Sequence, residues 1–372
     1  MTSADRLRDW LLLAHTPGIG PRTARRLMER FGDPRSLLEA DAAELRAAGA
    51  RAAAAARLRS PPAEAADAAL AWAEQEDAHI LTLEDPRYPP LLKELGDAPV
   101  VLYVRGDPAA LMDPQLAMVG SRNPTPACRD TTRAFARHLA ACGLTITSGL
   151  AVGVDGAAHA GALEAGRSIA VLGTGPDRVY PAAHRDLARR ISHQGALVTE
   201  LPPGSGPKGE NFPRRNRVIS GLSLGVLVTE AALKSGSLIT ARHAMEQGRE
   251  VFAIPGSIHN PLARGCHALI RDGAKLVETA QDVLEELVSL LGTGAAPAQP
   301  PVAEVTGRED GLDSDYRRLL EAMGHDPVAP DELIERTKLP AQSISSMLLL
   351  LELEGYVSSY PGGRYGRAAG RS

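Results

Sequence analysis

The sequence contains few aromatic and few cysteine residues, and each shortage narrows the classes of protein it can belong to. Phenylalanine, tryptophan and tyrosine make up only 3% of the 372 residues, so the cores must be built from alanine, leucine, valine and isoleucine. Cys128, Cys142 and Cys266 lie far apart and form neither a Cys-x-x-Cys pair nor a cluster with histidine. This spacing argues against a disulfide framework and a zinc site, and it is typical of a reducing cytoplasm.

Long apolar runs are missing as well. No run approaches the roughly 20 apolar residues that span a bilayer. The apolar patch within residues 1–14 is interrupted by arginine and aspartate, which is not typical of a signal peptide. We therefore expect a cytoplasmic protein without a membrane span, long enough for two or three domains.

The net charge of −4 is unevenly distributed along the chain. Residues 114–277 hold 19 lysines and arginines against 11 aspartates and glutamates, a net charge of +8, so the remainder carries −12. A basic middle in an acidic protein indicates one face that attracts phosphates. Chance asymmetry on a solvated surface explains the charge equally well.

Residues 1–80 are rich in alanine, leucine, arginine and glutamate and predict a helical N-terminal domain. Residues 16–27 resemble one turn of a helix-hairpin-helix (SAM-like) unit, in which a Gly-Ile-Gly turn presents backbone N–H groups to a phosphate. A plain turn between two helices of a small bundle is the alternative.

Residues 81–291 predict the main domain. Short apolar strands alternate with helices, and this pattern is typical of a mostly parallel sheet covered on both faces. At least six strands are expected, near residues 116–119, 144–147, 168–172, 196–200, 224–230 and 250–254. The predicted fold class is therefore α/β with a mostly parallel sheet.

The C-terminal part predicts a linker and a third domain. Residues 292–311 are rich in alanine and proline without periodicity, and residues 312–372 predict three helices and a small hairpin, which is the pattern of a winged helix. This segment has 7 basic against 9 acidic residues, and residues 343–354 contain no lysine or arginine. It lacks the footprint of a strong duplex binder, and a protein-binding or regulatory role is at least as consistent with it.

Loops rich in glycine and serine follow the predicted strands, at the edge where open parallel sheets bind ligands. Gly120, Ser121 and Arg122 follow the first core strand, and Ser235, Gly236 and Ser237 follow a later one. Glycine allows close approach of the backbone, serine donates a hydroxyl, and arginine offers a fork of donors for phosphate. No loop matches a dinucleotide fingerprint or a Walker A motif, so together they predict a phosphate-rich ligand without naming it.

Residues 208–217 combine four cations with one aromatic ring: Lys208, Phe212, Arg214, Arg215 and Arg217. Cations for a backbone and a ring for base stacking are typical of a single-strand binding site. A surface loop whose arginines pair with nearby acids is the competing interpretation.

Catalytic interpretations find less support. Asp155 and His159 are spaced as an acid–base pair on a helix, yet a helix cap and a buried histidine explain them more simply. No serine has an evident triad partner, and no carboxylate pair accompanies Glu200 or Glu230. We therefore predict no catalytic residues, no metal site and no cofactor.

Taken together and in order, these motifs resemble the DNA-processing protein A (DprA) family. The resemblance rests on residues 88–92, 119–122, 148–151, 153–155 with His159, 179–181, 212–217, 230–231, 235–241 and 251–256. It implies an extended Rossmann fold that binds single-stranded DNA and forms a homodimer through that domain. It also implies that the protein promotes RecA loading on strands coated by single-strand-binding protein during natural transformation.

The resemblance also implies roles for individual residues. Gly120, Ser121 and Arg122 would form a phosphate cradle, while Lys208, Phe212, Arg214, Arg215 and Arg217 would clamp the backbone and stack a base. Val152 departs from the family, which usually has a basic residue there, so this loop would contribute less. Ala268, Leu269 and Ile270 are the expected dimer face, with Val283, Leu284, Leu287 and Leu290 as the alternative.

Two other classes of protein fit the sequence less well. The core also resembles lysine-decarboxylase-like phosphoribohydrolases, which cleave nucleoside monophosphates, but their Pro-Gly-Gly-x-Gly-Thr loop and following glutamate are not intact here. A winged-helix transcription regulator would need a basic recognition helix, which residues 343–354 do not supply.

Overall fold

The structure is a computed structural model that describes residues 3–291, 314–324, 326–353 and 356–367. The predicted linker, residues 292–311, lies outside the described residues. Among the described residues, no helix is both long and apolar enough to cross a membrane.

The N-terminal part is a bundle of six helices. They are α1 (Ser3–His15), α2 (Pro21–Phe31), α3 (Pro34–Glu39), α4 (Ala42–Ala47), α5 (Ala52–Leu58) and α6 (Ala63–Ala73). Its core contains Trp10, Leu27 and Trp72 and continues onto Tyr103 of the adjoining sheet. The predicted hairpin turn lies between α1 and α2, where Gly18 adopts φ +92°. Arg25 of α2 donates to the Leu95 carbonyl at 2.5 Å, so this helix rests against the sheet domain.

The central domain is built on a nine-stranded sheet. Its strands are β1 (Ala78–Thr82), β2 (Val101–Gly106), β3 (Gln115–Val119), β4 (Thr145–Ser148), β5 (Ser168–Val171), β6 (Ala196–Thr199), β7 (Gly225–Val228), β8 (Glu250–Ala253) and β9 (Lys275–Leu276). Their order is β1-β2-β6-β5-β4-β3-β7-β8-β9. Strands β3 to β9 run parallel, whereas β2 is antiparallel to both β1 and β6. The predicted mostly parallel α/β sheet is confirmed.

The strand order reverses direction at β3. Strands β4, β5 and β6 follow on one side of β3, and β7, β8 and β9 follow on the other. Such a reversal leaves a crevice beyond the carboxyl ends of the two strands that flank it, because their connections leave in opposite directions. The loops after β3 and β7 therefore lie where this topology places ligands.

Helices cover both faces of the sheet. They are α7 (Pro90–Lys93), α8 (Pro126–Ala141), α9 (Val154–Ala162), α10 (Arg185–Gln194), α11 (Asn211–Leu222), α12 (Ser237–Glu246), α13 (Arg264–Arg271) and α14 (Ala280–Leu291). Helices α7, α11, α12 and α13 contribute to the core on one face, while α8, α9 and α14 cover the other. Helix α10 packs beside α9 against β5 and β6.

The C-terminal part has the elements of a winged helix. They are α15 (Ser314–Met323), α16 (Pro330–Thr337), α17 (Ala341–Leu353), β10 (Val357–Tyr360) and β11 (Arg364–Arg367). Leu319, Leu333, Ile344 and Leu351 are fully buried in its small core. Strands β10 and β11 pair antiparallel to form the wing, as the sequence predicts.

Two segments differ from their predicted structure. Residues 78–82 form an edge strand where a domain boundary was placed, because β1 pairs with β2 and joins the sheet. The basic segment 208–217, for which a surface loop was the competing interpretation, is helical from Asn211 onward. The second difference changes which of its cations face solvent.

Candidate functional site

Three side chains from separate segments meet beyond the carboxyl ends of the strands, and we call them the aromatic cluster: Arg122, Tyr180 and Phe212. The Tyr180 and Phe212 ring centroids are 5.6 Å apart with the planes tilted by 45°. The Arg122 guanidinium carbon lies 6.0 Å from the Phe212 centroid, within the range of a cation–π contact. Tyr180 is 49% exposed, which is unusual for a ring in a chain with so few aromatics.

The loop that carries Arg122 is held by its backbone. The Ser121 N–H donates to the Glu230 carbonyl at 2.7 Å, and the Ser121 carbonyl accepts from the Val154 N–H at 3.1 Å. Gly120 lies against these same two residues, where a Cβ would approach the Val154 side chain to 2.7 Å. The loop is thus fixed to the β7 end and to the start of α9, so Arg122 extends from a rigid support.

Phe212 depends on a glycine in the loop after β5. A Cβ on Gly173 would lie 2.8 Å from two carbons of the Phe212 ring, so only glycine leaves room for the ring. The neighbouring Asn211 side chain donates to the Gly173 carbonyl at 3.2 Å and to the Gly206 carbonyl at 3.3 Å. These contacts set the start of α11 and, with it, the position of Phe212.

Burial divides the four predicted cations into two pairs. Lys208 is exposed and the Arg214 side chain is 50% exposed. Arg215 and Arg217 are each only 7% exposed. Both buried arginines donate to protein oxygens, which differs from the exposed backbone clamp that the family resemblance implied.

Arg215 supports the loop between β4 and α9 from beneath. It donates to the Gly149 carbonyl at 2.6 Å and also to the Val171 carbonyl. Asp155 accepts from the Gly149 and Ala151 N–H groups at 3.1 and 3.2 Å. Burial raises the pKa of Asp155 and lowers the pKa of Arg215 to about 10, while each group's charge opposes the other's shift. The pair therefore shapes the loop from inside.

His159 is fully buried behind this loop and is not paired with Asp155. Its Nδ1 lies 2.7 Å from the Ser168 hydroxyl, which itself donates to the Ile146 carbonyl, so Nδ1 carries the proton. Its Nε2 has no partner in the described structure. Burial lowers the pKa of His159 to about 3. The interpretation of His159 as a buried histidine agrees with this geometry. Asp155 is not a helix cap, because Gly153 precedes α9 without a side-chain cap and the Asp155 carboxylate instead holds the loop before the helix.

Arg217 connects the site to its surroundings through Glu200. It donates to a Glu200 carboxylate oxygen at 2.6 Å and to the Asp97 carbonyl at 2.6 Å. Arg214 shares the same carboxylate at 3.1 Å. Because Glu200 already has the buried Arg217 as a partner, Arg214 can leave it for another anion without stranding an unpaired buried charge.

The second predicted loop lies at the start of α12. The hydroxyl oxygens of Ser235 and Ser237 are 2.7 Å apart, and the Gly236 carbonyl accepts from the Asn216 side chain of α11 at 3.3 Å. Ser237 is buried and Gly236 is exposed. The loop is thereby tied to the same helix that carries Phe212 and Arg214.

Sequence reasoning missed Tyr180 as a site residue. Tyr180 belongs to the motif at residues 179–181. Two signals could have identified it: aromatics are scarce in this chain, and the proline that follows Tyr180 argues against a buried strand there. Val152 stands where the family usually has a basic residue. It is 40% exposed and places an apolar side chain beside the loop that holds Arg122.

The arrangement offers rings for stacking and cations for phosphates at one rigid edge. Across the described ranges there is no group of three or more histidine, cysteine, aspartate or glutamate side chains that could hold a metal. What the edge does supply is a surface for a flat, phosphate-bearing ligand.

Two family models match this chain. Residues 79–288 match the family model described as DNA recombination-mediator protein A, and residues 295–363 match the DprA winged helix domain. The chain is thus a Rossmann-type α/β protein with a helical N-terminus and a winged helix. It belongs to the DNA-processing protein A family, as its motifs indicated.

Individual relatives agree with this assignment. The chain is 44% identical over 309 residues to protein Smf of Escherichia coli, covering 82% of each. The structure of DNA processing protein A from Streptococcus pneumoniae is 36% identical and superposes with a TM-score of 0.66, covering 77% of this chain and 98% of that one. The same protein from Helicobacter pylori, solved for its single-stranded DNA binding mode, is 31% identical with a TM-score of 0.52 over 57% and 96% of the two chains.

Proposed function

We propose that this protein binds single-stranded DNA with little sequence preference and promotes the loading of RecA onto strands covered by single-strand-binding protein, as in natural transformation. The observation that carries the DNA part is the aromatic cluster, in which an exposed tyrosine, a phenylalanine and an arginine meet at the sheet edge. The single-stranded DNA binding mode of the Helicobacter pylori relative supports the same ligand. The RecA part rests on membership of the family.

Each part of the site has a role in this proposal. Phe212 and Tyr180 stack bases, and stacking accepts every base because all have a π-face. The loop of Gly120, Ser121 and Arg122 contacts a phosphate through backbone and side chain, and Lys208 and Arg214 contact further phosphates. Arg215 and Arg217 position the loops instead of touching DNA. The loop of Ser235, Gly236 and Ser237 offers hydroxyl and backbone donors at the start of α12.

We further propose that two copies associate through the sheet domain, along a groove beside β9. The groove has a volume of about 510 Å³ and is lined by Leu233, Pro255, Arg264, His267, Ile270, Arg271 and Leu276. Leu233 and Leu276 are 57% and 44% exposed. Ile270 belongs to the dimer face suggested by the sequence. In that face Ala268 and Ile270 are half-buried and Leu269 is buried. In the alternative strip Val283, Leu284 and Leu287 are buried against the sheet, so we propose the groove and not the strip.

A salt series tests the DNA proposal. Affinity for a labelled oligothymidine is measured by anisotropy for the wild type, Phe212→Ala and Arg122→Ala, with a duplex as competitor. Phe212→Ala should lower affinity by about 1–3 kcal/mol and leave the salt slope unchanged, because stacking carries no charge. Arg122→Ala should lower the slope by about 0.7, the contribution of one phosphate. Tighter binding to duplex, or a flat salt response of the wild type, would contradict the proposal.

RecA loading is tested separately. RecA ATP hydrolysis is followed on single strands precoated with single-strand-binding protein, with and without this protein. The wild type should shorten the lag, and both variants should fail to do so while remaining folded by circular dichroism. If the variants shorten the lag as well as the wild type, the aromatic cluster is not the loading surface.

A further inference from the structure

Helix α10 carries a row of basic side chains that begins at the aromatic cluster. Arg185, Arg189 and His193 are exposed at intervals of four residues, and residues so spaced lie on one face of a helix. Ala188 and Ile191 face the opposite way and are buried against the sheet. We call Arg185, Arg189 and His193 the α10 row.

The row starts where the site ends. Tyr180 lies five residues before α10, with its ring against Phe212. His184, the residue before α10, places Nδ1 2.9 Å from the Leu150 carbonyl, in the loop that Arg215 supports. The first turn of α10 is therefore fixed to the binding edge, and the row leads away from it along the sheet.

The charges of the row are available to a ligand. The one acid within residues 185–194 is Asp186, against three arginines. Asp186 lies 3.3 Å from Arg189, but the two side chains are 91% and 72% exposed. Pairs as exposed as this contribute little and are readily exchanged. A phosphate can replace Asp186 with no buried charge left behind.

The spacing suits an extended chain of phosphates. Arg185 and Arg189 are separated by about 6 Å along the helix axis, from a rise of about 1.5 Å per residue. A splayed single strand places neighbouring phosphates at a comparable separation. A solvated helix face would explain the exposure, but it does not explain why the row begins at the stacked rings.

We propose that a bound single strand continues from the aromatic cluster along α10, where Arg185 and Arg189 contact successive phosphates. The inference extends the proposed function and depends on it. It predicts that the protein has a longer footprint than the aromatic cluster alone, and that the added part contributes charge but no stacking.

Oligothymidines of two lengths distinguish failure of this inference from failure of the proposed function. One of about 3 nucleotides covers little more than the two stacked rings, and one of about 15 nucleotides, within the range that single folds cover, also reaches the row. In Arg185→Ala/Arg189→Ala, affinity for the longer strand should fall about tenfold and its salt slope by about 1.4, for two phosphates. Affinity for the shorter strand should stay within about twofold of the wild type, since its phosphates do not reach the row.

Two control variants make the result specific. Arg185→Lys/Arg189→Lys keeps the charges and should keep the slope. Arg242→Ala removes an exposed arginine from α12, on the opposite face of the sheet. It should leave the affinity for both oligothymidines unchanged. Equal losses on both lengths, or no loss on the longer strand, would overturn the inference. If the wild type binds neither strand, the proposed function itself fails.

Discussion

At the scale of single residues, Gly173 leaves the space that the Phe212 ring occupies. Gly173→Ala places a methyl group 2.8 Å from the Phe212 ring, so the ring must move away from Tyr180 and Arg122. We expect DNA affinity to fall by about 1 kcal/mol, roughly fivefold, since an aromatic contact is weakened. The salt slope should stay constant because no cation is touched.

Gly209→Ala is the matched control for that substitution. It adds the same methyl group in the segment just before α11, where nothing lies within 4 Å of the new carbon. Its DNA affinity and unfolding midpoint should equal those of the wild type. Equal losses in the two variants would mean that the ring position is not what binding depends on.

Two buried histidines make stability depend on pH. Burial lowers the pKa of His159 to about 3 and the pKa of His15 to about 4, below about 6.5 in the unfolded chain. Between these values the unfolded chain binds more protons, so the free energy of unfolding falls as pH falls. The full contribution is present above pH of about 6.5, and each histidine removes on the order of 2 kcal/mol by pH of about 5.

Urea unfolding at these two pH values measures the effect. His159→Asn keeps a donor toward Ser168 and removes the titrating ring. The variant should lose less stability on acidification than the wild type. An unchanged difference between the two pH values would show that His159 is not excluded from protonation.

At the scale of elements, the alternation of buried strands and helices was predictable because parallel strands covered on both faces are continuously apolar. All six predicted core strands exist within about two residues of their predicted ends. The edge strand β1 was not predictable, because its residues 78–82 find their only partner in β2, about twenty residues later in the chain. Pairing of this kind is a tertiary effect that local pattern does not contain.

The candidate site was predictable in its composition but less so in its geometry. Phe212 and Arg122 were identified from their residue types, and the structure brings them together. The burial of Arg215 and Arg217 was missed because four cations in ten residues suggest an exposed segment. Only the helical phase of α11, fixed by Val218 and Leu222 in the core, decides which arginines turn inward.

Helix α17, which would be the recognition helix of a DNA-binding winged helix, presents a neutral face. Ser345, Ser346, Leu349 and Leu350 are exposed on it. We expect Ser345→Glu/Ser346→Glu to leave affinity for duplex and single strands within about twofold, because residues 343–354 contain no lysine or arginine that could contact a phosphate. Anisotropy with both DNAs measures this. A steep loss on duplex alone would place α17 in the major groove.

At the scale of the whole molecule, the groove beside β9 predicts the oligomeric state. Leu276→Arg adds a cation beside Arg264 and Arg271 in the groove, where a second copy would bring like charges together, so the dimer should dissociate. Met112→Arg is the control, since Met112 is 47% exposed elsewhere. Sedimentation should show a dimer for the wild type and control, and a monomer for Leu276→Arg. A monomeric wild type at micromolar concentration would reject the dimer.

The order of strands also has a consequence for synthesis on the ribosome. Strand β3, where the strand order reverses, ends at Val119, and its neighbour on one side, β7, begins only at Gly225. At about 5–20 residues per second, the nascent chain waits roughly 5–20 seconds before that neighbour emerges. During this interval one edge of β3, which is fully buried in the folded protein, has no partner and can pair with another nascent chain. A slow codon stretch before β7 would lengthen the exposure, and we expect yield to fall before activity does.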